Sequence, residues 1–466
     1  MDSLKKLIND SFFSNLFENR KSFGAFDSAT SNILAENKQI MKSESSSISL
    51  EDYTGINLPN APQPEYHIQR PLRKYFDKPN YNETTIAQHP DFHHLKDSDE
   101  LINQYICSMF IDIKGSTRLS LKYDLPFVYK FKNAVIQACI EVIRSFDGYV
   151  HRIMGDAVLG FFGSSNITKE QAILDCMNCA AMLKIVLEQN IQPWLREEKP
   201  DFEDVQDFGF RIGCNFGDDH EVLWANYGYG STGEVSPTGL PVDLAAKLQG
   251  LSSKNKSMIG QGILEFFNWP QSFSQVKTKE KNGEIISIQH VTPNYVQDGS
   301  PLNYMMRELD QKNYLQGLPI PTDIKQSLCT GIVHNNLITL KNKITSPTNE
   351  VYDFKSNSKV IPKNSSITTE IQIFNENFLL FPLQVKFIKK NNLGFKNEPE
   401  LLEHIDVKDE VNFIVHYSSG SRQQTNIHKK SISRDCMYRG IHQLICEVRN
   451  KDNKLIFRDI VNVPIE

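Results

Sequence analysis

The chain has 466 residues, 39% of them apolar, and a formal net charge of −5 at pH 7. A chain of this length can hold two or three domains, and its charge lacks the basic excess typical of nucleic-acid-binding proteins. No apolar run is long enough to span a membrane, and the first residues lack the continuous apolar segment of a secretion signal. We therefore expect a cytoplasmic protein that binds no nucleic acid and has no membrane span.

Residues 1–100 are predominantly polar and include the serine-rich run "SESSSISLED". The opening "MDSLKKLINDSFFSNLF" has apolar residues at helical spacing, which predicts a short amphipathic helix. The proline-spaced stretch "NLPNAPQPEYHIQRPLRKYF" predicts an extended linker. This N-terminal extension is expected to have little core of its own.

Residues 101–295 alternate strand and helix patterns and predict an α/β domain on a mixed sheet. "YICSMFIDI" is an apolar run of strand length, and the apolar residues up to Phe146 then recur at helical spacing. "YVHRIMGDAVLGFFG" predicts a tight hairpin with Gly155 and Asp156 in its turn. A second helix is predicted over 170–190. "FGFRIGCNFG" and "HEVLWANYG" predict another strand pair, and "GLPVDLAAKLQGL" begins a further helix.

The remainder of the chain changes character. Residues 296–338 predict a helical connector. Residues 339–466 contain short strand-like runs separated by Asn, Gly, Ser and Pro, such as "LQVKFIKK" and "HQLICEVRN". Regular short strands of this kind predict a C-terminal β-sandwich.

Two groups of side chains have a spacing that metal ligands can have. His89, His93 and His94 lie close together, but no cysteine or second histidine cluster accompanies them, so a solvated linker is the preferred interpretation. Cys176 and Cys179 form a single C-x-x-C pair inside a helical apolar pattern. We expect these two, like most of the eight cysteines, to be reduced core residues.

Two carboxylates stand where structure alone does not require them. Asp112 ends the apolar strand and Asp156 lies in the hairpin turn, so both face one point if the hairpin lies beside the strand. Such carboxylates repel each other unless a cation lies between them, and oxygen ligands, with the carbonyl of Ile113 as a third, suit Mn²⁺ or Mg²⁺. Each aspartate alone is better explained as an ordinary turn residue. Together they favour a two-metal phosphoryl-transfer site.

A glycine-containing loop follows the first of these acids. It comprises Lys114, Gly115, Ser116 and Thr117. Backbone N–H groups around a glycine, followed by the start of a helix, are typical of a phosphate-binding loop. The loop strengthens the interpretation that the site handles phosphoryl groups.

Four segments, "FIDIKGSTRLS", "GYVHRIMGDAVLGFF", "FRIGCNFG" and "GLPVDLAAKL", resemble in order and spacing the successive blocks of class III nucleotide cyclases. The resemblance implies a ferredoxin-like catalytic domain that forms a head-to-tail homodimer. It also implies a lyase reaction in which the ribose 3′-hydroxyl of a nucleoside triphosphate attacks its own α-phosphate and releases pyrophosphate. Asp112 and Asp156 match the family's two metal aspartates, and Ile113 matches its backbone-carbonyl ligand.

The positions that read the base in purine cyclases differ in this chain. Arg152 stands where the resemblance implies lysine or glutamate, and Ser236 stands where it implies Asp, Cys or Thr. An arginine offers only donors, which suits the carbonyls of a pyrimidine and leans toward uracil. In the last block Asp243 replaces the usual Asn, which argues against binding of ribose or phosphate there. Lys247 replaces the usual Arg and keeps its positive charge.

The C-terminal segment "DCMYRGIHQLICEVRN" is similar to the sensor domain of bacterial defence cyclases. Together with the cyclase blocks, it makes the chain resemble the pyrimidine cyclases of the Pycsar antiphage system. That resemblance implies conversion of UTP to cyclic UMP, or of CTP to cyclic CMP, as a messenger for a separate cyclic-nucleotide-gated effector. An ordinary adenylyl or guanylyl cyclase stays open, and so does a catalytically dead nucleotide sensor, which Asp243 and Lys247 favour.

Overall fold

The computed structural model describes residues 8, 11–18, 66–201, 208–229, 232–291, 295–297, 299–396, 402, 409–418 and 426–466. Within these ranges the first part of the chain forms a seven-stranded sheet flanked by helices, and the last part forms two four-stranded sheets. No helix of the described ranges is long and apolar enough to cross a membrane.

The strands of the first part are β1 (Ile102–Asn103), β2 (Ile106–Lys114), β3 (Tyr149–Met154), β4 (Ala157–Phe162), β5 (Gly209–Gly217), β6 (Leu223–Tyr229), β7 (Thr232–Thr238), β8 (Lys256–Gly260), β9 (Ser274–Gln275), β10 (Lys277–Lys281), β11 (Glu284–Ile288), β12 (Tyr295–Gln297), β13 (Ser300–Leu302) and β14 (Met306–Leu309). Those of the last part are β15 (Ile338–Thr345), β16 (Val351–Phe354), β17 (Ser365–Phe374), β18 (Leu383–Lys390), β19 (Asp409–Val415), β20 (Ile427–Cys436), β21 (Gly440–Arg449) and β22 (Leu455–Ile465). The α-helices are Ser11–Glu18, Gln69–Tyr75, Ser116–Lys122, Leu125–Ser145, Lys169–Val186, Gln192–Glu198, Leu240–Leu251, Gln261–Phe266, Gln311–Leu315 and Thr322–Leu328.

The seven-stranded sheet has the order β3-β4-β2-β5-β8-β14-β9, with β2 antiparallel to both of its neighbours and β5 parallel to β8. This mixed sheet confirms the predicted α/β class, and the hairpin β3–β4 is the one predicted around Gly155 and Asp156. The second predicted strand pair is wrong. β5 pairs with β2 and β8, whereas β6 pairs with β1 and β7 in a separate three-stranded sheet.

Two long helices cover one face of the sheet. Helix Leu125–Ser145 begins where the Asp124 carboxylate accepts a hydrogen bond from the Phe127 N–H (2.8 Å), a typical N-cap. Helix Lys169–Val186 is buried along almost its whole length. Its cysteines, Cys176 and Cys179, are fully buried, and burial raises the pKa of both thiols, so they stay protonated in the core as predicted.

The N-terminal segment contains the predicted short helix, but its described residues 66–100 are not the predicted extended linker. Helix Ser11–Glu18 buries Phe12 and Phe13 in the main core, while residues 19–65, including the serine-rich run, lie outside the described residues. Residues 66–100 pack closely on the domain. The buried Lys78 ammonium lies 2.9 Å from carboxylate oxygens of both Asp147 and Asp175. A buried lysine is stabilised by such paired carboxylates, and this ties the segment to two helical regions.

The histidine cluster is also not the solvated linker that the sequence favoured. His89 is buried, and its Nε2 lies 3.0 Å from the carbonyl oxygen of Gly163. Its ring packs against Trp224, and burial lowers its pKa to about 4. His93 and His94 are exposed, and the described residues contain no group of three or more His, Cys, Asp or Glu side chains arranged to hold a metal ion.

The predicted helical connector over 296–338 is only partly helical. Helices Gln311–Leu315 and Thr322–Leu328 lie in it, but so does β14, which pairs with β8 and β9 in the seven-stranded sheet. The hairpin strand β13 also falls in this range. The central sheet therefore reaches beyond residue 295, because the edge of β8 is paired by a strand that follows the predicted boundary.

The C-terminal strands form two antiparallel sheets of order β16-β15-β17-β20 and β19-β18-β21-β22. One apolar cluster contains side chains from both sheets, including Ile371 from β17 and Phe387 from β18, which confirms a sandwich. The strand-like runs noted in the sequence all contain strands. The sequence missed β16 and β20, which lie at the two edges of their sheet; β16 has only four residues, and β20 is largely polar.

The sandwich and the central sheet are joined by a shared interior. Apolar side chains of the sandwich, among them Ile441 and Ile460, belong to the same buried cluster as the core of the central sheet. A buried polar group lies at this junction: the Tyr314 hydroxyl donates to Asn178 Oδ1 (2.8 Å) and accepts from Asn357 Nδ2 (2.8 Å). Tyr314 comes from the connector, Asn178 from a helix on the central sheet and Asn357 from the sandwich.

Tyr314→Phe tests whether this junction stabilises the whole chain. The variant keeps the ring and removes one hydroxyl with two buried partners, so we expect the free energy of unfolding to fall by about 1–2 kcal/mol. Chemical denaturation monitored by tryptophan fluorescence measures the change. Tyr417→Phe, at an exposed tyrosine of the same sandwich, is the matched control. Equal stability of the two variants would show that the junction contributes little.

His442 predicts a pH dependence of stability. It is buried, its Nδ1 accepts from the Asn392 N–H (3.1 Å), and its Nε2 lies 3.0 Å from the Tyr438 carbonyl oxygen, so the neutral ring fits. Burial lowers its pKa from 6.5 to about 4. Between these two values the unfolded chain binds a proton that the folded chain does not, so stability falls as pH drops from about 6.5 to about 4.

Thermal unfolding between pH 7 and pH 4.5 checks this expectation. His442→Gln retains a donor and an acceptor but does not titrate, so its melting temperature should fall less steeply on acidification than that of the wild type. The slope should not vanish, because His89 contributes in the same direction. His416→Gln, at an exposed histidine, should behave as the wild type does. Identical pH profiles for wild type and His442→Gln would contradict the assignment.

Candidate functional site

The pairing of β2 with β4 brings the two predicted metal aspartates to the same end of the central sheet. Asp112 lies opposite Ala157, the first residue of β4, and Asp156 immediately precedes it in the turn. The Ile113 N–H donates to the backbone carbonyl of Asp156 at 3.3 Å, which continues the ladder into the turn. The proximity expected from the sequence therefore follows from the strand register.

Each of these carboxylates has a polar partner. Arg211, directly opposite Asp112 on β5, places its Nε 2.8 Å from Asp112 Oδ2 and makes a second contact to the same oxygen through Nη2. The Ser116 hydroxyl donates to Asp156 Oδ2. The guanidinium offsets part of the charge of two neighbouring carboxylates, which would otherwise repel each other.

The loop after β2 has the backbone that a glycine permits. Gly115 has φ +89° and precedes helix Ser116–Lys122, and a residue with a side chain is strained in that region. Ser116 is buried and in contact with Asp156, while Lys114 and Thr117 are exposed. The predicted phosphate-binding loop therefore lies directly beside the aspartates.

The donor set at this end of the sheet fits a hard divalent cation. The carboxylates of Asp112 and Asp156 and the carbonyl of Ile113 offer oxygen only, which is the chemistry of Mg²⁺ and Mn²⁺ sites and differs from the nitrogen and sulfur donors of zinc sites. Arg211 is the residue that a cation would displace from Asp112 Oδ2. A guanidinium in that place indicates a position suited to positive charge.

A second cluster of polar residues joins β3 to β7. Arg152 contacts the Glu234 carboxylate through two nitrogens, with Nε 3.2 Å from Oε1. His151 Nε2 lies 3.0 Å from Glu234 Oε1 and 3.2 Å from the Ser236 hydroxyl. Arg152 and Ser236, the two candidate base-reading residues of the sequence, are thus linked through Glu234 and His151, which the sequence did not single out.

Helix Leu240–Leu251 carries the last two residues of interest. Asp243 is exposed in its first turn and Lys247 is half-buried one turn later. The helix lies close on β5, where a Cβ at Gly213 would come within 2.3 Å of the Ala245 carbonyl oxygen. The glycine of "FRIGCNFG" therefore permits the close packing that positions this helix against the central sheet.

Comparison with known proteins identifies the family. No family model matches the chain. A cytidylate cyclase of Escherichia coli is 34% identical over 407 residues, which cover 86% of this chain and 88% of that protein. A cytidylate cyclase of Staphylococcus aureus is 29% identical over 382 residues, covering 80% of this chain and 82% of that protein. The chain belongs to the class III nucleotide cyclases.

A solved structure of an adenylyl cyclase from P. aeruginosa also matches the cyclase, with 16% identity, 45% of this chain and 95% of that chain covered, and a TM-score of 0.36. That score is too low to add weight, and the assignment rests on the two relatives above. The predicted family and fold class are confirmed.

The candidate site residues fall into two groups within one chain. Asp112, Asp156 and Ser116 lie together near the end of β2, whereas Arg152 contacts Glu234 and Ser236 contacts His151 between β3 and β7. The sequence missed Arg211 in the first group, although a lone charge inside the strand "FGFRIGCNFG" is the same signal that drew attention to Asp112. His151 and Glu234 carry no such signal, because their strands belong to different sheets and only tertiary packing brings them together.

Proposed function

We propose that this cyclase converts CTP to 3′,5′-cyclic CMP and pyrophosphate, with conversion of UTP to cyclic UMP as the second candidate. The observation that carries the proposal is the 34% identity to a cytidylate cyclase over 86% of the chain. The preference for UTP inferred from the sequence rested on Arg152 as an isolated donor. Its guanidinium is bound to Glu234, so it gives uracil no advantage over cytosine.

The reaction needs a nucleophile, a leaving group and compensation of charge. The ribose 3′-oxygen forms a bond to the α-phosphorus, the bond from that phosphorus to the bridging oxygen of pyrophosphate breaks, and the 3′-hydroxyl proton is lost to solvent. A bound Mn²⁺ or Mg²⁺ would lower the pKa of that hydroxyl and offset phosphate charge. Asp112, Asp156 and the carbonyl of Ile113 are the ligands that we assign to it.

The remaining residues of the first group suit the triphosphate. We assign the backbone N–H groups from Lys114 to Thr117 to the phosphate oxygens, since they surround a glycine and precede the start of a helix. Arg211, once released from Asp112, can turn its five donors to the same oxygens. Lys247 supplies positive charge for the transition state, as its match to the family arginine implies, whereas we assign no substrate contact to Asp243.

We infer a head-to-tail homodimer, in which the metal group of one protomer faces the base group of its partner. The presence of both groups on one chain supports two composite sites. We also propose that the cyclic nucleotide acts in antiphage defence through a separate gated effector, with the C-terminal sandwich as the sensor. This part of the proposal is supported by the resemblance of the chain to the Pycsar cyclases.

A substrate panel tests the proposed reaction. The purified protein is incubated with ATP, GTP, CTP or UTP and Mn²⁺, and the products are identified by mass spectrometry. We expect cyclic CMP from CTP as the main product. Cyclic UMP as the main product would favour the second candidate, and cyclic AMP or cyclic GMP would contradict the pyrimidine assignment. Nucleotide binding without turnover of any of the four would favour a catalytically dead sensor.

Asp112→Asn tests the metal assignment. The variant keeps the size of the side chain and removes one anionic ligand, so we expect product formation to fall by about a hundredfold or more. We also expect the rise in melting temperature that Mn²⁺ causes in the wild type to disappear, since binding to the folded state is what stabilises it. Asp99→Asn, at an exposed aspartate, is the matched control. An unchanged Mn²⁺ shift in Asp112→Asn would contradict the ligand assignment.

A further inference from the structure

Glu234 is held from two sides by side chains of β3. Arg152 binds its carboxylate through Nε and Nη2, and His151 Nε2 lies 3.0 Å from Oε1. The Glu234 side chain is 33% exposed, and that of His151 only 5%. A carboxylate fixed in this way keeps free lone pairs toward solvent, so it can still accept hydrogen bonds from a ligand.

A β-bulge is what allows two consecutive residues to reach one carboxylate. Successive side chains of a strand normally point to opposite faces. The pairing of β3 with β4 shifts register between Val150 and Arg152, which makes His151 the extra residue. A bulge re-aims side chains and is frequent beside active sites. Here it turns both His151 and Arg152 toward Glu234.

His151 is itself fixed in place. Its ring packs on Phe161 with centroids 5.0 Å apart. Burial lowers its pKa, so the ring is neutral at pH 7 and carries one N–H. Its Nε2 lies between two acceptors, Glu234 Oε1 at 3.0 Å and the Ser236 hydroxyl at 3.2 Å. The N–H at Nε2 therefore keeps these two groups at a constant separation.

The carboxylate also borders open space. A cavity of about 230 Å³ is lined by His151, Glu234, Trp224 and Val235, and its remaining wall comes from the segment 86–96. That segment belongs to the N-terminal extension and lies outside the four cyclase blocks of the sequence. The cavity shows that a small ring can approach the Glu234 side of the cluster.

The pair of an acceptor and a donor matches the edge of one pyrimidine. Cytosine presents an amine at position 4 beside the acceptors N3 and O2, so a carboxylate can accept from the amine while a guanidinium donates to its neighbours. Uracil presents a carbonyl at position 4, which a carboxylate repels. Adenine shares the amine but has no O2. Guanine and uracil also offer a ring N–H to a carboxylate, at N1 and N3, but each has a carbonyl at the position of the cytosine amine.

We propose that Glu234 is the specificity-determining acceptor for the 4-amino group of cytosine, with Arg152 as the neighbouring donor and His151 as the residue that positions Glu234. This inference rests on the proposed function, since it assigns the base that the cyclase selects. An exposed ion pair contributes little to stability. If the Arg152–Glu234 pair served only to connect β3 to β7, its removal would leave the choice between CTP and UTP unchanged.

Glu234→Gln tests the proposal directly. The variant replaces an acceptor-only group by an amide that can also donate to the uracil carbonyl. We expect kcat/KM for CTP to fall by about tenfold to a hundredfold, and that for UTP to stay constant or rise, because a good base contact discriminates on this scale. ATP turnover is measured in parallel. Glu198→Gln, at an exposed glutamate of the same domain, should retain the wild-type CTP-to-UTP ratio.

Two further variants separate positioning from folding. His151→Phe keeps the ring that packs on Phe161 but removes the donor, so we expect a higher KM for CTP with kcat less affected, and His151→Gln should restore part of the loss. Arg152→Gln and Glu234→Gln, combined in a double-mutant cycle on kcat/KM for CTP, should show strong non-additivity. Melting temperatures near that of the wild type confirm that each variant is folded.

The outcomes distinguish this inference from the proposed function. A wild-type enzyme that yields no cyclic CMP removes the proposed function, and the inference with it. A wild-type enzyme that prefers CTP, together with an unchanged CTP-to-UTP ratio in folded Glu234→Gln, overturns the inference alone. A lower CTP-to-UTP ratio in Glu234→Gln, together with a KM for CTP that is lower in His151→Gln than in His151→Phe, supports both the proposed function and the inference.

Discussion

The position of β2 between β4 and β5 is the constraint on which the active site depends. Pairing with β4 brings the turn that contains Asp156 beside Asp112, and pairing with β5 brings Arg211 opposite it. A shift of register by one residue would move Asp112 to the other face of the sheet, which the helices cover. A carboxylate buried there without a partner would cost several kcal/mol. The register that pairs β2 with β4 and β5 is therefore also the register that assembles the site.

Helix Lys169–Val186 connects the central sheet to the C-terminal sandwich. It packs on the central sheet, and its buried side chains also reach the C-terminal sandwich through Asn178 and Asn357. Near its start, Glu170 pairs with Arg439 of the segment "YRGIH" at 2.5 Å. These contacts pack the C-terminal sandwich firmly against the helix. Any rearrangement of the sandwich acts on a helix in direct contact with β2, the strand that contains Asp112.

The sequence predicted those features that have a signal in the local residue pattern. Asp112 interrupts an apolar strand and Asp156 occupies a turn between two apolar runs, so both were recognisable, and the adjacency of β3 and β4 made their proximity predictable. Arg211 is likewise a charged residue inside an apolar strand, so the same pattern could have indicated it. The strand β14 could not, because four residues that pair with β8 from beyond the expected domain boundary have no periodicity of their own.

The cluster of Arg152, His151 and Glu234 shows why the remaining features required the structure. Taken alone, Arg152 is a set of donors, and donors favour a base with carbonyls. Next to Glu234 it becomes half of a donor–acceptor pair, and such a pair favours a base that carries an amine. The bulge at His151 creates that pair, and no residue pattern in β3 predicts a bulge. The chemistry of a side chain follows from its partner, and here a side-chain contact between two different sheets, across 82 residues of sequence, determines the partner.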